Sequence, residues 1–133
     1  MKKFLFTLIF AFIGIFACNA QIWSFRGEAY CQKQLNSYGY WSSWSSWERC
    51  NVPITMNLNN DQVIIYSNRR QYYQIIDYSN TYYDGTTQCV DYHFYDQDGD
   101  RGTMTLAVKS SGQSEIYIRF ANIQWAYIVV RTN

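Results

Sequence analysis

The chain of 133 residues has one proline, one histidine and no strong charge of either sign, its formal net charge being +1. Binders of nucleic acid usually carry a marked basic excess, so the charge balance argues against that class. Beyond residue 20 no apolar run exceeds the six residues Trp125–Val130. A membrane-spanning helix needs ~20 apolar residues in succession. Apolar positions spaced as on a helix are also missing after residue 21, and so are G-x-S-x-G, H-E-x-x-H and a phosphate-cradling glycine loop. Nothing in this inventory points to a cofactor. A hydrolytic enzyme is therefore the third of three functional readings, behind a binding module and a structural envelope protein.

The N-terminus reads as an export address. Met1-Lys2-Lys3 is basic, Phe4 to Ala17 is apolar, and Cys18-Asn19-Ala20 places small residues before a cut at Gln21. That layout predicts a signal peptide over 1–20 and an exported domain over 21–133, periplasmic or secreted. Ile15-Phe16-Ala17-Cys18 loosely matches a lipobox, and the alternative is a chain anchored by lipid on Cys18. Removing 1–20 takes away Lys2 and Lys3, leaving nine basic residues against ten acidic ones. Mature lysines are then only Lys33 and Lys109, and the aromatic complement shifts from Phe toward Tyr and Trp.

The dominant period of the mature chain is two. Ile54, Met56 and Leu58, then Val90, Tyr92 and Phe94, then Met104, Leu106 and Val108, then Ile116, Ile118 and Phe120 alternate with more polar neighbours. Each set marks a strand with one face on a core. Turn residues separate these runs, Asp84-Gly85 most clearly, where a type I′ turn would need positive φ at both positions. The reading is all-β: an antiparallel meander of eight or nine short strands, in a small barrel or a curved sheet or sandwich. Closure into a barrel is favoured because one proline and two lysines blunt few exposed edges.

The most unusual segment is Trp41-Ser42-Ser43-Trp44-Ser45-Ser46-Trp47-Glu48-Arg49-Cys50. Three tryptophans at a period of three cannot share one side of a regular strand. Either the segment is bulged or close to polyproline, or Trp44 opposes Trp41 and Trp47. Exposed indoles would form a stacking platform for a glycan, an apolar small molecule or a partner's rings. The competing account buries at least two of them. Tyr72, Tyr73, Tyr82 and Tyr83 are further binding candidates, since tyrosine joins a rigid apolar ring to a polar tip, although strands favour tyrosine in any case.

Three cysteines remain after the cut, Cys31, Cys50 and Cys89. In an oxidising compartment any two of them are candidates for one disulfide. Asp96, Asp98 and Asp100 have the spacing of the first three calcium ligands of an EF-hand loop. Arg101 and Ala107 stand where that loop needs glycine and glutamate, and a hairpin loop rich in Asp and Gly accounts for the segment. Cys89, Asp91 and His93 share one strand face, too far apart along it for a Cys–His hydrogen bond.

Three resemblances follow from these residues. W-x-x-W-x-x-W-x-x-C (Trp41 to Cys50) resembles the tryptophan run of thrombospondin type 1 repeats, which also have six cysteines and an arginine-bearing partner strand. Trp23 near the first strand and Arg131 near the end of the last resemble small lipocalin-like barrels, in which such residues meet at the closed end. W-S-x-W-S-x-W-E, I-Y-S (Ile65 to Ser67), D-x-D-G-D (Asp96 to Asp100), I-Y-I (Ile116 to Ile118) and W-x-Y (Trp125 to Tyr127) resemble small exported proteins of Bacteroidetes-type bacteria. The last resemblance implies a bacterial envelope setting and carries no activity. The functional expectation is non-catalytic binding through Trp and Tyr side chains, the partner being a glycan, an apolar small molecule or an envelope protein.

Overall fold

The computed structural model describes residues 22–133, and the expected signal segment with Cys18 lies outside them. Nine strands follow one another: β1 (Ile22–Gln34), β2 (Glu48–Asn57), β3 (Gln62–Ile65), β4 (Gln71–Tyr78), β5 (Tyr82–Asp84), β6 (Thr87–Asp96), β7 (Arg101–Val108), β8 (Ser114–Arg119) and β9 (Ile123–Arg131). All pairings are antiparallel. The first strand pairs with the last, Cys31 opposite Ala126, and β4 pairs with β6, Tyr78 opposite Tyr92. Eight strands thereby close into a small barrel with β5 outside the ring. β5 lies along the same edge of β6 that β4 uses further up, so residues 79–81 interrupt what is otherwise one strand line.

Alternation explains the core. Trp23 and Phe25 of β1, Ile54 and Met56 of β2, Val63 and Ile65 of β3, Tyr73 and Ile75 of β4, and Val90, Tyr92 and Phe94 of β6 all turn inward. Met104, Leu106, Ile116, Ile118, Tyr127 and Val129 complete the filling. A barrel of eight strands has an interior just wide enough for side chains. Two bulges adjust the parity. The register of β1 shifts between Gly27 and Ala29, and that of β4 between Ile75 and Asp77, which leaves Ile76 outside on the surface. At the lower end the Arg131 guanidinium lies 5.1 Å from the centre of the buried Trp23 ring, the meeting that the lipocalin-like resemblance implied.

Residues 42–47 belong to no strand, and Glu48 opens β2. One expectation about local structure needs correction. The hairpin after Tyr83 turns at Gly85-Thr86, because Asp84 still pairs with Thr87. Gly85 has φ +65° whereas Asp84 is not in the positive region, so the turn needs glycine at its first central position only, as in type II′.

Candidate functional site: a tryptophan row on the outer wall

Residues 41–47 run back along β1 in a ladder whose two sides have different periods. Ser42 donates its N–H to the Gln34 carbonyl and Ser45 to that of Gln32, each at 2.8 Å. In return the N–H of Gln34 donates to Ser42 Oγ at 3.0 Å, and that of Gln32 to Ser45 Oγ at 2.9 Å. Glu48 then pairs with Tyr30. Three residues on one side thus match two on β1, and a serine hydroxyl supplies the acceptor that a backbone carbonyl supplies in an ordinary ladder. This geometry answers the parity problem. The indoles repeat with the segment's own period of three and fall in one row.

All three are partly exposed: Trp41 38%, Trp44 37% and Trp47 44%. Lys33 projects outward from β1 between the first two, its Nζ 5.5 Å from the Trp41 ring centre and 4.8 Å from that of Trp44. A cation within ~6 Å of an indole is attracted by the ring quadrupole. Lys33 therefore occupies the place that the thrombospondin-type resemblance gives to an arginine. Trp44 also meets Tyr117 of β8 edge-on, with ring centres 6.0 Å apart, and Arg119 lies 6.0 Å from the Tyr117 ring.

The wall beneath this row is built by register. Cys31, Ala126, Tyr117, Thr105 and Asp91 stand opposite one another across β1, β9, β8, β7 and β6. Glu115 is almost fully buried on this outer face, at 1% exposure. Its carboxylate accepts from Tyr117 Oη at 2.6 Å and Gln113 Nε2 at 2.7 Å, with Lys109 Nζ at 3.2 Å. Asp91 Oδ1 accepts from Tyr82 Oη at 2.8 Å and Thr105 Oγ1 at 2.7 Å, and Arg119 donates to Thr105 Oγ1.

The tyrosine candidates divide. Tyr72, Tyr82 and Tyr83 are exposed, but Tyr73 is buried in the core at 2% exposure and is withdrawn from the binding surface. Adjacent strand residues face opposite ways, so Tyr72 and Tyr73 could not both have been outside. Two exposed aromatics at the hairpin tip escaped the sequence reading, Tyr38 and Tyr40, and so did the half-buried Tyr117 beside Trp44. The glycine turn at Gly39 was the available signal for the tip.

The disulfide expectation is also corrected: Cys31, Cys50 and Cys89 are free thiols. Cys31 and Cys89 lie on the outer wall four strands apart, while Cys50 Sγ faces the Gly27 carbonyl at 3.5 Å. Burial pushes all three thiols above their ordinary value. The three aspartates form no calcium cage. Asp96 Oδ1 accepts the N–H groups of Asp98 and Asp100 at 2.9 and 2.8 Å, closing the loop on itself. No group of three or more metal-ligating side chains occurs among the described residues. Cys89, Asp91 and His93 share the outer face of β6 but are drawn to separate partners, His93 Nδ1 standing 2.5 Å from Asp77 Oδ1. No helix among the described residues is long and apolar enough to cross a membrane.

Compared with known proteins, the chain matches no protein-family model, no curated protein and no solved structure.

Proposed function

We propose that this protein is an exported, non-catalytic binding module that meets a partner protein of the bacterial envelope on the outside of its barrel, through residues 36–47. The observation that carries the reading is the single exposed row of Trp41, Trp44 and Trp47 beside a solid barrel interior. Every residue from Asn36 to Trp47 is Asn, Ser, Tyr, Gly or Trp. That is the composition of antibody paratopes, where Tyr and Trp supply rigid contact area and Ser, Gly and Asn adaptable hydrogen bonds. The indoles advance with every second residue of β1, ~6.7 Å apart at the usual strand rise. Alternate side chains of an extended partner chain have the same spacing.

A structural role is the second reading, favoured by Lys33 taking up ring faces of Trp41 and Trp44. One experiment separates the two. Tyr38→Ala, Tyr40→Ala and Trp47→Ala are introduced together, and capture from an envelope fraction is followed by reconstitution with the purified partner. Binding should disappear while the melting temperature holds. Unchanged binding, or no specific partner, would overturn the proposal. Retention of a glycan on an array, lost in the same variant, would transfer the surface to carbohydrate.

A further inference from the structure

The end of the barrel opposite Trp23 and Arg131 carries the β3–β4, β6–β7 and β8–β9 turns. They enclose a cup of two open lobes, of about 490 and 280 Å³. Asp96, Phe120 and Trp125 line both lobes, and Tyr73 lines the smaller one. Phe120 and Trp125 lie 5.6 Å apart at a 34° tilt, and Phe120 and Tyr73 each stand edge-on to the buried Phe94. The core beneath thus holds an apolar floor of rings in place.

Charge distinguishes the lobes. The consecutive Arg69 and Arg70 of the β3–β4 turn line the smaller lobe against Asp96 alone, whereas the larger lobe sets Arg101 against Asp96 and Asp100. The smaller lobe therefore has a positive excess. Asp96 Oδ1 is moreover engaged by the two loop N–H groups described above. Arg70 lies 4.9 Å from the Tyr66 ring centre, and Arg101 donates to Tyr95 Oη at 2.6 Å. Arg69 is exposed, and its guanidinium has no ion pair and no ring partner among the described residues. Trp125 adds a buried indole N–H with no hydrogen-bond partner among the described residues. A buried donor is costly to leave unpaired, so this wall favours a ligand that brings an acceptor.

We propose that the smaller lobe binds a small carboxylate with a planar apolar body, its carboxylate on the Arg69 guanidinium and its body against Phe120 and Trp125. A guanidinium presents a fork of N–H donors that matches a carboxylate, and charge strengthens the pair. Aromatic rings accept a further ring in offset or edge-on contact. Asp96 opposes the anion, which limits the affinity and gives the site a sign that substitution can read. The site shares no residue with the tryptophan row and does not rest on it.

Three probes share one body and differ in charge: 3-phenylpropanoate, 3-phenylpropan-1-ol and 3-phenylpropylammonium. Binding is read by calorimetry and by indole fluorescence on the mature protein. The carboxylate should bind in the millimolar range or tighter, the alcohol at least about threefold more weakly, and the ammonium more weakly still. Arg69→Gln removes an exposed charge, so the melting temperature should hold while carboxylate affinity falls about threefold or more, to that of the alcohol. Asp96→Asn keeps an oxygen for the loop N–H groups and removes the opposing charge, so carboxylate affinity should rise. No response to the carboxylate, equal binding of the three probes, preference for the ammonium, or an unchanged affinity in Arg69→Gln would each overturn the proposal. If Asp96→Asn alters the fold, the probe series on the unaltered protein and Arg69→Gln decide it.

Discussion

Ser45 and Gln32 are bonded twice, backbone N–H to carbonyl in one direction and backbone N–H to side-chain hydroxyl in the other. Ser42 and Gln34 repeat the arrangement. This pairing is what allows a chain of period three to lie along a strand of period two. It follows that the first serine of each W-S-S unit is structural, while Ser43 and Ser46 are spacers.

Removing the two hydroxyls should loosen the row. Ser42→Ala with Ser45→Ala leaves the N–H groups of Gln34 and Gln32 without their acceptors. At ~0.5–1.5 kcal/mol for each such bond, the pair should lower stability by about 1–3 kcal/mol. Ser43→Ala with Ser46→Ala should change stability by less than about 0.5 kcal/mol. Urea titration of the two double variants checks the contrast, and equal effects would remove the structural distinction between the serines.

Gly102 illustrates a different constraint. A Cβ built on it would stand 2.6 Å from Phe94 Cζ and 2.7 Å from the Arg119 carbonyl oxygen. Both atoms belong to packed elements, the Phe94 ring being clamped by Tyr73 and Phe120. Gly102→Ala should therefore cost about 1–3 kcal/mol as overpacking. Gly99→Ala, in the adjoining loop, finds open space but a φ of +85°. Its cost should be that of backbone strain alone, about 1 kcal/mol. Thermal melts of the two variants test the order.

The strands were legible because alternation writes itself into residues such as Met104, Leu106, Ile116 and Ile118, which all reach the core. Closure was an argument about edges, and the residues that accomplish it carry no local mark. The bulge at Ile76, within the β4–β6 ladder, reads as one more apolar position in Ile75-Ile76. The tryptophan row was half legible. Its period ruled out a regular strand, but its direction depends on hydroxyl bonds between residues thirteen and eight positions apart. Tyr72 and Tyr73 were indistinguishable for a similar reason, since which of two neighbours faces inward is set by the partner strand.

The cysteines should behave as three separate thiols. Cys31 and Cys89 are four strands apart, roughly 19 Å around the wall at ~4.8 Å per strand. No disulfide forms across such a distance without unfolding the wall. The mature protein purified under oxidising conditions should show three free thiols by mass and the same melting temperature with or without reductant. Alkylation of the native protein should be slow at Cys31 and Cys89, both buried, and complete only after denaturation. A reductant-sensitive melting temperature would contradict this assignment.

Alkali should be the condition the fold tolerates least. Burial is the first cause that raises the hydroxyls of Tyr73, Tyr78, Tyr82, Tyr92, Tyr117 and Tyr127 above the usual tyrosine range, Tyr78 to about 12. Hydrogen bonds to Asp91 and Glu115 add to the rise at Tyr82 and Tyr117. In the unfolded chain these groups lose their protons near pH 10. Between that pH and the folded values the native state holds more protons than the unfolded one, so stability falls as pH rises. Their contribution is fully present below pH ~10 and is lost through pH 12 and beyond. Absorbance at the phenolate band, followed on raising the pH, should show the buried Tyr73, Tyr92 and Tyr127 ionising only with loss of the barrel's circular dichroism. Ionisation of all thirteen tyrosines ahead of that transition would mean that the hydroxyls of Tyr92 and Tyr127 are open to water in the native state.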